Sequence, residues 1–331
     1  ETIKIENKVK IIRLVEPMYG NNLLLNLGKT FLNRFFFYKS LKKHLKELKP
    51  DIIESFDWSG PLLFKIKDVR LIVRLHGSNT ANNDYMEKKR SVLFTFIEKR
   101  ALKIADSVVS VSNHIAEQTK KSFQLDFDYK TIYNGVDLNK FKDLKIERDI
   151  NKIVLVGRMH DYKGLKELFA ALDLVFESND QVYFEIICKI IDDYKNELLS
   201  RVDKKFHNRI HFIGRVENNL LPQKYNQANL SILPSLTEAF PIIPLESMAC
   251  GTPVIMSNRF SSQEIISSGR DGFLVNVIDP NKLAYGILEA ISDQNKIEQM
   301  RYTAINKISN NFTIDKIFQE NLKFYHQILK K

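Results

Sequence analysis

Only two cysteines, Cys188 and Cys250, occur among the 331 residues, and neither has a paired spacing around it. That scarcity excludes a disulfide framework and a cysteine metal knuckle, and it fits a reducing, cytoplasmic setting. Long apolar runs are missing as well. The greasy Phe35-Phe36-Phe37-Tyr38 is flanked by Arg34 and Lys39, far short of the roughly 20 apolar residues that cross a bilayer. Internal repeats and low-complexity tracts are absent. The chain starts at Glu1 with no methionine and no visible targeting segment, so its first domain is expected to be incomplete at its start.

What is present is enough apolar material for two cores. A length of 331 residues at 44% hydrophobic content exceeds one ordinary domain and falls short of three. The net charge of +10 is unevenly spread: residues 1–145 carry 27 Lys and Arg against 17 Asp and Glu, and the remainder is balanced at 23 of each. A basic first half attracts nucleic acid, anionic lipid or phosphorylated ligands, and the motifs must choose among these.

Short β-rich runs alternate with longer helical patterns. VKIIRLV (9–15), DIIES (51–55), VRLIVRL (69–75), SVVSV (107–111) and YKTIY (129–133) read as strands of a first parallel sheet. Between them lie a long helical pattern closed by Pro50 and a basic amphipathic pattern over 86–105. A turn at Asn134-Gly135-Val136-Asp137 and a polar stretch after it mark the domain boundary. The expected division is therefore a first domain over 1–140, a second domain over 141–313, and a final helix over 314–331. The second domain restarts the rhythm with KIVLV, VYFEII, IHFI, LSIL, PVIM and GFLV, six strands for a doubly wound sheet with ligands at its carboxyl edge.

Three constellations sit at such edges. In VGRMHDYKG (156–164) a strand ends at Gly157, Arg158 follows, and Lys163-Gly164 opens a helix. Two cations beside a positive helix end make a cradle for a diphosphate. In SLTEAFPIIPLESMACGTPVI (235–255), Glu238 lies on a loop and Glu246 in the first turn of a helix preorganised by Pro244. Glu246 can accept from a vicinal diol, Glu238 stands nearer whatever lies beyond, and backbone N–H groups around residues 240–243 face the space between. A sugar nucleotide has hydroxyls at both ends and a diphosphate in the middle, which gives each carboxylate a task. In RLHGSNT (74–80), His76 can donate to a sugar hydroxyl or a phosphate, and Gly77 admits a ligand to the backbone.

With these residues the chain resembles the family 4 retaining glycosyltransferases, which have the GT-B fold, an α/β architecture of two facing Rossmann-like domains with parallel sheets and a cleft between them. The resemblance covers nearly the whole chain. Glu238, seven intervening residues, Glu246 and the continuation MACGTPVI carry it most strongly, VGRMHDYKG and NGVD support it, and RLHG is its weakest piece. It implies that Arg158 and Lys163 bind the donor diphosphate, Glu246 the ribose hydroxyls, Glu238 the donor sugar, and His76 the donor sugar from the acceptor domain. Gly157, Val216, Ala239, Phe240, Pro241 and Ile242 complete the implied donor site, and His76, Arg158, Lys163 and Glu238 form the implied catalytic set. The final helix is implied to return onto the first domain. The chain departs from the family at Ala239 and Pro241, where glycines are usual, and at Cys188-Lys189, where a glycine-rich turn is common. The family's opening strand, glycine-rich loop and first helix have no counterpart in this sequence.

The implied reaction moves a hexosyl or N-acetylhexosaminyl unit, with retention, from a nucleoside diphosphate sugar to an acceptor hydroxyl. A UDP-sugar is the favoured donor and a glycan or lipid-linked glycan the acceptor, in cell-surface polysaccharide or glycolipid synthesis. No cofactor and no metal are expected: Asp126-Phe127-Asp128 reads as solvated surface, and His207 and His211 lack the helical context of a zinc pair. Phe31, Phe35, Phe36, Phe37 and Tyr38 beside Lys39, Lys42 and Lys43 fit either burial of the aromatics in the helix's own core or an anionic surface at the inner face of the plasma membrane, and nucleic acid is not expected. Two other readings stay open: a sugar-nucleotide epimerase of the same fold, and a non-catalytic subunit that binds sugar nucleotide or glycan.

Overall fold

The structure, a computed structural model, describes residues 2–6, 9–13 and 23–330, with side chains from residue 32 onward except that of Tyr85. Leu14 and Val15 of the expected first strand, and the side chain of Phe31, lie outside the described residues. The chain divides into two compact units, one of Glu1–Ser110, Ala116–Lys130 and Phe324–Lys331, the other of Val111–Ile115 and Thr131–Lys323.

The first unit opens with β1 (Thr2–Glu6) and β2 (Val9–Arg13), which pair antiparallel with Thr2 opposite Arg13. The expectation that Val9 begins a strand of the parallel sheet is corrected here. The preceding TIKIE alternates just as VKIIR does, so the two neighbouring runs can pair with each other. A separate four-stranded sheet has the order β3 (Ile52–Phe56), β4 (Arg70–Leu75), β5 (Ser107–Ser110), β6 (Tyr129–Thr131). Its first two pairs are parallel, with Ile52 opposite Arg70 and Ile72 opposite Ser107. The pattern over 86–105 forms a helix only over Val92–Ile104, because Ser91 caps it by accepting from the Phe94 amide. A short helix, Asn79–Tyr85, precedes it under the Ser78 cap.

The second unit is a six-stranded sheet in the order β12-β11-β10-β7-β8-β9, formed by β7 (Asp149–Val156), β8 (Tyr183–Ile187), β9 (Ile210–Gly214), β10 (Ala228–Leu233), β11 (Val254–Ser257) and β12 (Gly272–Val275). Every neighbouring pair is parallel. Residues of β7 alternate between two layers. Ile153 and Leu155 pack with helices Leu165–Ser178 and Pro280–Ile291, whereas Val154 and Val156 pack with helix Ile243–Ala249 and with Ala304 and Ile308 of helix Gln294–Asn311. Leu168, Phe169, Leu172, Val175 and Phe176 recur at helical spacing and are fully buried or nearly so; each contributes about 1.5–3 kcal/mol by leaving water.

The strand order reverses at β7, which has β8 on one side and β10 on the other. Such a reversal sends the two connecting chains to opposite faces and opens a crevice at the carboxyl ends of these strands. The Asn134–Asp137 turn belongs to this unit. The Val136 amide donates to the Phe312 carbonyl at 2.8 Å, and the Ile314 amide donates back to Val136 at 3.0 Å. At Gly135 an added Cβ would stand 2.9 Å from the Ile314 Cα, so that strap tolerates no side chain. The last helix spans Ile314–Leu329; the Tyr325 hydroxyl, in its final turns, donates to Glu54 at 2.8 Å within the first unit. Among the described residues no helix is long and apolar enough to cross a membrane.

Candidate active site

The crevice of the second unit is built from two chain turns, one leaving β7 and one leaving β10. After β7, Gly157 donates its amide to Ile187 at 3.1 Å, and the space beside its Cα is open. Arg158 is exposed and, among the described residues, has no hydrogen bond or ion pair. A single 3₁₀ turn, Asp161–Lys163, then leads through Gly164 into helix Leu165–Ser178. Gly164 has φ +67°, and a Cβ there would lie 1.9 Å from the Pro234 carbonyl oxygen. Only glycine allows this turn to press against the end of β10.

The contact continues beyond Gly164. The Leu236 amide donates to the Tyr162 carbonyl at 2.8 Å, and the Lys163 ammonium meets the Glu238 carboxylate at 2.5 Å. Ser235 donates to the same Glu238 oxygen at 2.7 Å. Lys163 and Glu238 are 75 residues apart in sequence, and the adjacency of β7 and β10 brings them together.

The loop after Glu238 is held from behind. Phe240 is buried, stacked on Tyr133 with ring centroids 4.8 Å apart and tilted against Phe312 at 5.8 Å. Ser112 donates to the Ala239 carbonyl and Asn134 to the Phe240 carbonyl, each at 2.8 Å. With both carbonyls drawn inward, the amides of Ala239, Phe240 and Ile242 have no intramolecular acceptor among the described residues. Pro241 is buried, Ile242 exposed, and Val216 and Ala239 pack against the same core cluster as Phe240.

Helix Ile243–Ala249 carries Pro244 in its first turn and Glu246 on its crevice-side start. Glu246 accepts from the Tyr225 hydroxyl at 3.3 Å. Burial pushes its carboxyl up to about 7, against the pull of that hydroxyl and of the Lys140 charge. Tyr225 is fully buried, and burial beside the Glu246 carboxylate raises its own phenol well above the ordinary value.

His76 lies in the first unit, at the end of β4. Its amide and that of Gly77 donate to the two oxygens of Asp57 at 3.0 and 3.1 Å. Asp57 is buried, and desolvation pushes its carboxyl up to about 7, the nearby Glu98 charge adding to the effect and the two amides opposing it. Glu98, also buried, accepts from the amides of Ser59, Asn79 and Thr80, each at 3.0 Å. Desolvation, joined by the Arg74 guanidinium, holds the His76 imidazole below its ordinary range, and Glu54 works the other way.

The structure thus brings Arg158, Lys163, Glu238 and Glu246 to one edge of one sheet, with Val216 and residues 239–242 around them, and places His76 in the other unit. Sequence reasoning missed Asp57, Glu98, Tyr225 and Ser235. Ser235 alone had a local signal, three residues before a carboxylate. Of the residues weighed for metal, Asp126 pairs with Lys120 at 3.2 Å, the His207 ring nitrogen donates to the Leu199 and Val202 carbonyls, and His211 does so to Asn208.

Two α/β units, each with a parallel sheet, together with a crevice carrying cations and carboxylates in the second, define the class: the GT-B fold of glycosyltransferases. Residues 137–307 match the family of glycosyl transferases group 1, and residues 16–140 match Glycosyltransferase Family 4. The chain belongs to this family and is a glycosyltransferase. It is 24% identical over 311 residues to an uncharacterised glycosyltransferase of Methanocaldococcus jannaschii, covering 88% of this chain and 79% of that one. It is 26% identical over 298 residues to the UDP-Gal:alpha-D-GlcNAc-diphosphoundecaprenol alpha-1,3-galactosyltransferase of Escherichia coli, covering 84% of this chain and 75% of that one. Among solved structures, sucrose-phosphate synthase from Thermosynechococcus elongatus shares the fold with a TM-score of 0.83 at 20% identity, over 99% of this chain and 86% of that one.

Proposed function

We propose that this enzyme transfers a hexosyl or N-acetylhexosaminyl unit, with retention, from a UDP-sugar to a hydroxyl of a glycan or lipid-linked glycan in cell-surface polysaccharide or glycolipid synthesis. The observation that carries the reading is the meeting of Lys163, five residues after Arg158, with Glu238, and with Glu246 in the first turn of the helix that follows Glu238, at the reversal point of the sheet. A diphosphate between Arg158 and Lys163 has its nucleoside side toward Glu246 and its sugar side toward Glu238. The E. coli relative, named for a UDP-galactose donor and a diphosphoundecaprenol-linked acceptor, supports this choice of donor and acceptor class.

In this reaction the bond between the anomeric carbon and the phosphate oxygen breaks, and a bond from that carbon to the acceptor oxygen forms on the same face. The acceptor proton passes to the departing phosphate oxygen. Arg158, Lys163 and the open amides of Ala239, Phe240 and Ile242 stabilise the charge that builds on the leaving diphosphate, and loss of one such donor costs about 3 kcal/mol of barrier. His76, whose imidazole desolvation holds below its ordinary range, has as its proposed role a hydrogen bond to a donor-sugar hydroxyl. Neither carboxylate serves as a covalent nucleophile, and the roles of both are in binding.

The exposed Phe35, Phe36 and Phe37, with the exposed Lys39, Lys42, Lys43 and Lys46 on the same helix, fit peripheral attachment to an anionic membrane. Sedimentation with anionic liposomes at low salt, and its loss at high salt or with neutral lipid, tests that part. For the reaction, UDP-, GDP- and ADP-sugars are screened for binding to the wild-type chain and to Glu246→Ala, then incubated with and without acceptor. Nucleotide release that requires acceptor supports the transfer; isomerised sugar identifies an epimerase, and binding without either change a non-catalytic subunit. Equal binding of every donor by Glu246→Ala removes Glu246 from the ribose site.

A further inference from the structure

Arg158 and Lys163, both placed on the diphosphate in the reading above, differ in one respect: Arg158 is exposed and has no partner among the described residues, whereas Lys163 is already neutralised. Its ammonium is 2.5 Å from Glu238, with side-chain exposures of 12% for the lysine and 15% for the glutamate. Glu238 uses one oxygen, Oε1, for both Lys163 and Ser235. Its other oxygen has no hydrogen-bond partner among the described residues and is free to receive a hydroxyl.

Neither backbone can retreat to separate the pair. Lys163 ends a 3₁₀ turn clamped through Gly164 against Pro234 and through Tyr162 against Leu236. Glu238 lies two residues beyond Leu236 and two before the buried Phe240. A diphosphate that draws Lys163 toward itself therefore removes the cation from Glu238 and leaves two anionic groups facing each other in a partly dry crevice, where charges interact strongly.

From this geometry we infer that the Lys163–Glu238 pair discriminates between a sugar nucleotide and a bare nucleoside diphosphate. The inference rests on the donor reading above. A bare diphosphate breaks the pair and gives Glu238 nothing in return. A sugar nucleotide carries less charge on its diphosphate and brings hydroxyls that donate to the open oxygen of Glu238. The carboxylate thus disfavours the product diphosphate relative to the donor and speeds its departure after transfer.

Titration calorimetry on the full chain, with inorganic pyrophosphate, UDP and UDP-sugars as probes, tests this. Glu238→Gln is expected to bind pyrophosphate and UDP roughly tenfold more tightly, the size of one lost charge repulsion, and Glu238→Ala is carried alongside as a second variant with the same expected direction. Lys163→Ala is expected to weaken both probes and to erase the gain when combined with Glu238→Gln. Unchanged or weaker pyrophosphate and UDP binding by both Glu238 variants, with wild-type binding present, overturns the discriminator and leaves the donor site standing. Absence of pyrophosphate, UDP and UDP-sugar binding to the wild-type chain overturns the donor reading and the discriminator together.

Discussion

Gly164 and Pro234 touch so closely that a single added carbon at the glycine would lie 1.9 Å from the proline carbonyl oxygen. This contact holds the turn after β7 against the end of β10, and Lys163 reaches Glu238 because of it. Gly164→Ala must therefore displace one of the two chains and also hold alanine at φ +67°. A loss on the order of 3 kcal/mol is expected, read as a lower urea midpoint with the slope unchanged.

Glu246 gives the second unit a pH-dependent stability. Its carboxyl is raised from 4.5 to about 7 by burial, so its contribution is fullest below pH 4.5 and declines as pH rises through 7. Glu246→Gln carries no such charge. The variant is expected to match the wild type near pH 4 and to exceed it at pH 8 by on the order of 2 kcal/mol, measured by urea unfolding at both values. A variant less stable than wild type at pH 8 would contradict the assignment.

Arg158 separates binding from folding. It is exposed and without a partner among the described residues, so Arg158→Ala should leave unfolding within about 0.5 kcal/mol of wild type. The same change is expected to lower kcat/KM for the sugar nucleotide about 100-fold, since it removes a cation from the leaving diphosphate. Steady-state kinetics with the donor identified by the binding screen reads the effect.

Asp57 supports the backbone of His76 and Gly77 with both oxygens. Asparagine keeps one acceptor and turns an amide against the other N–H. Asp57→Asn is expected to cost on the order of 2 kcal/mol and to speed hydrogen exchange at residues 76 and 77 at least about tenfold. Protection that is unchanged there would show that the strand end holds itself.

The strands of the second unit were legible to within about three residues at their ends, β7 beginning at Asp149 ahead of the KIVLV run and GFLV over 272–275 being an unbroken match. Buried parallel strands are short apolar runs bounded by turns, and sequence displays both features. Glu238, Glu246, Arg158 and Lys163 were visible as chemistry on strand ends. Their mutual contacts were not, because the Lys163–Glu238 pair depends on β7 lying beside β10, and periodicity carries no information on strand order. Asp57 and Glu98 were invisible for a related reason: they bind backbone amides 18 to 39 residues away, and no residue type at the far end announces an amide. The antiparallel pairing of Val9–Arg13 was misread because alternation fixes a strand and not its direction.

The strap between Val136 and the 312–314 segment has a consequence for biosynthesis. Phe312 closes onto the turn at Val136 across most of the second unit's length. On the ribosome the central strands can assemble as they emerge, but the seam at Gly135 stays open until the last helix of that unit has been translated. Truncation before residue 312 should therefore leave a nascent chain sensitive to proteolysis at 131–141, the segment that waits longest for its partner.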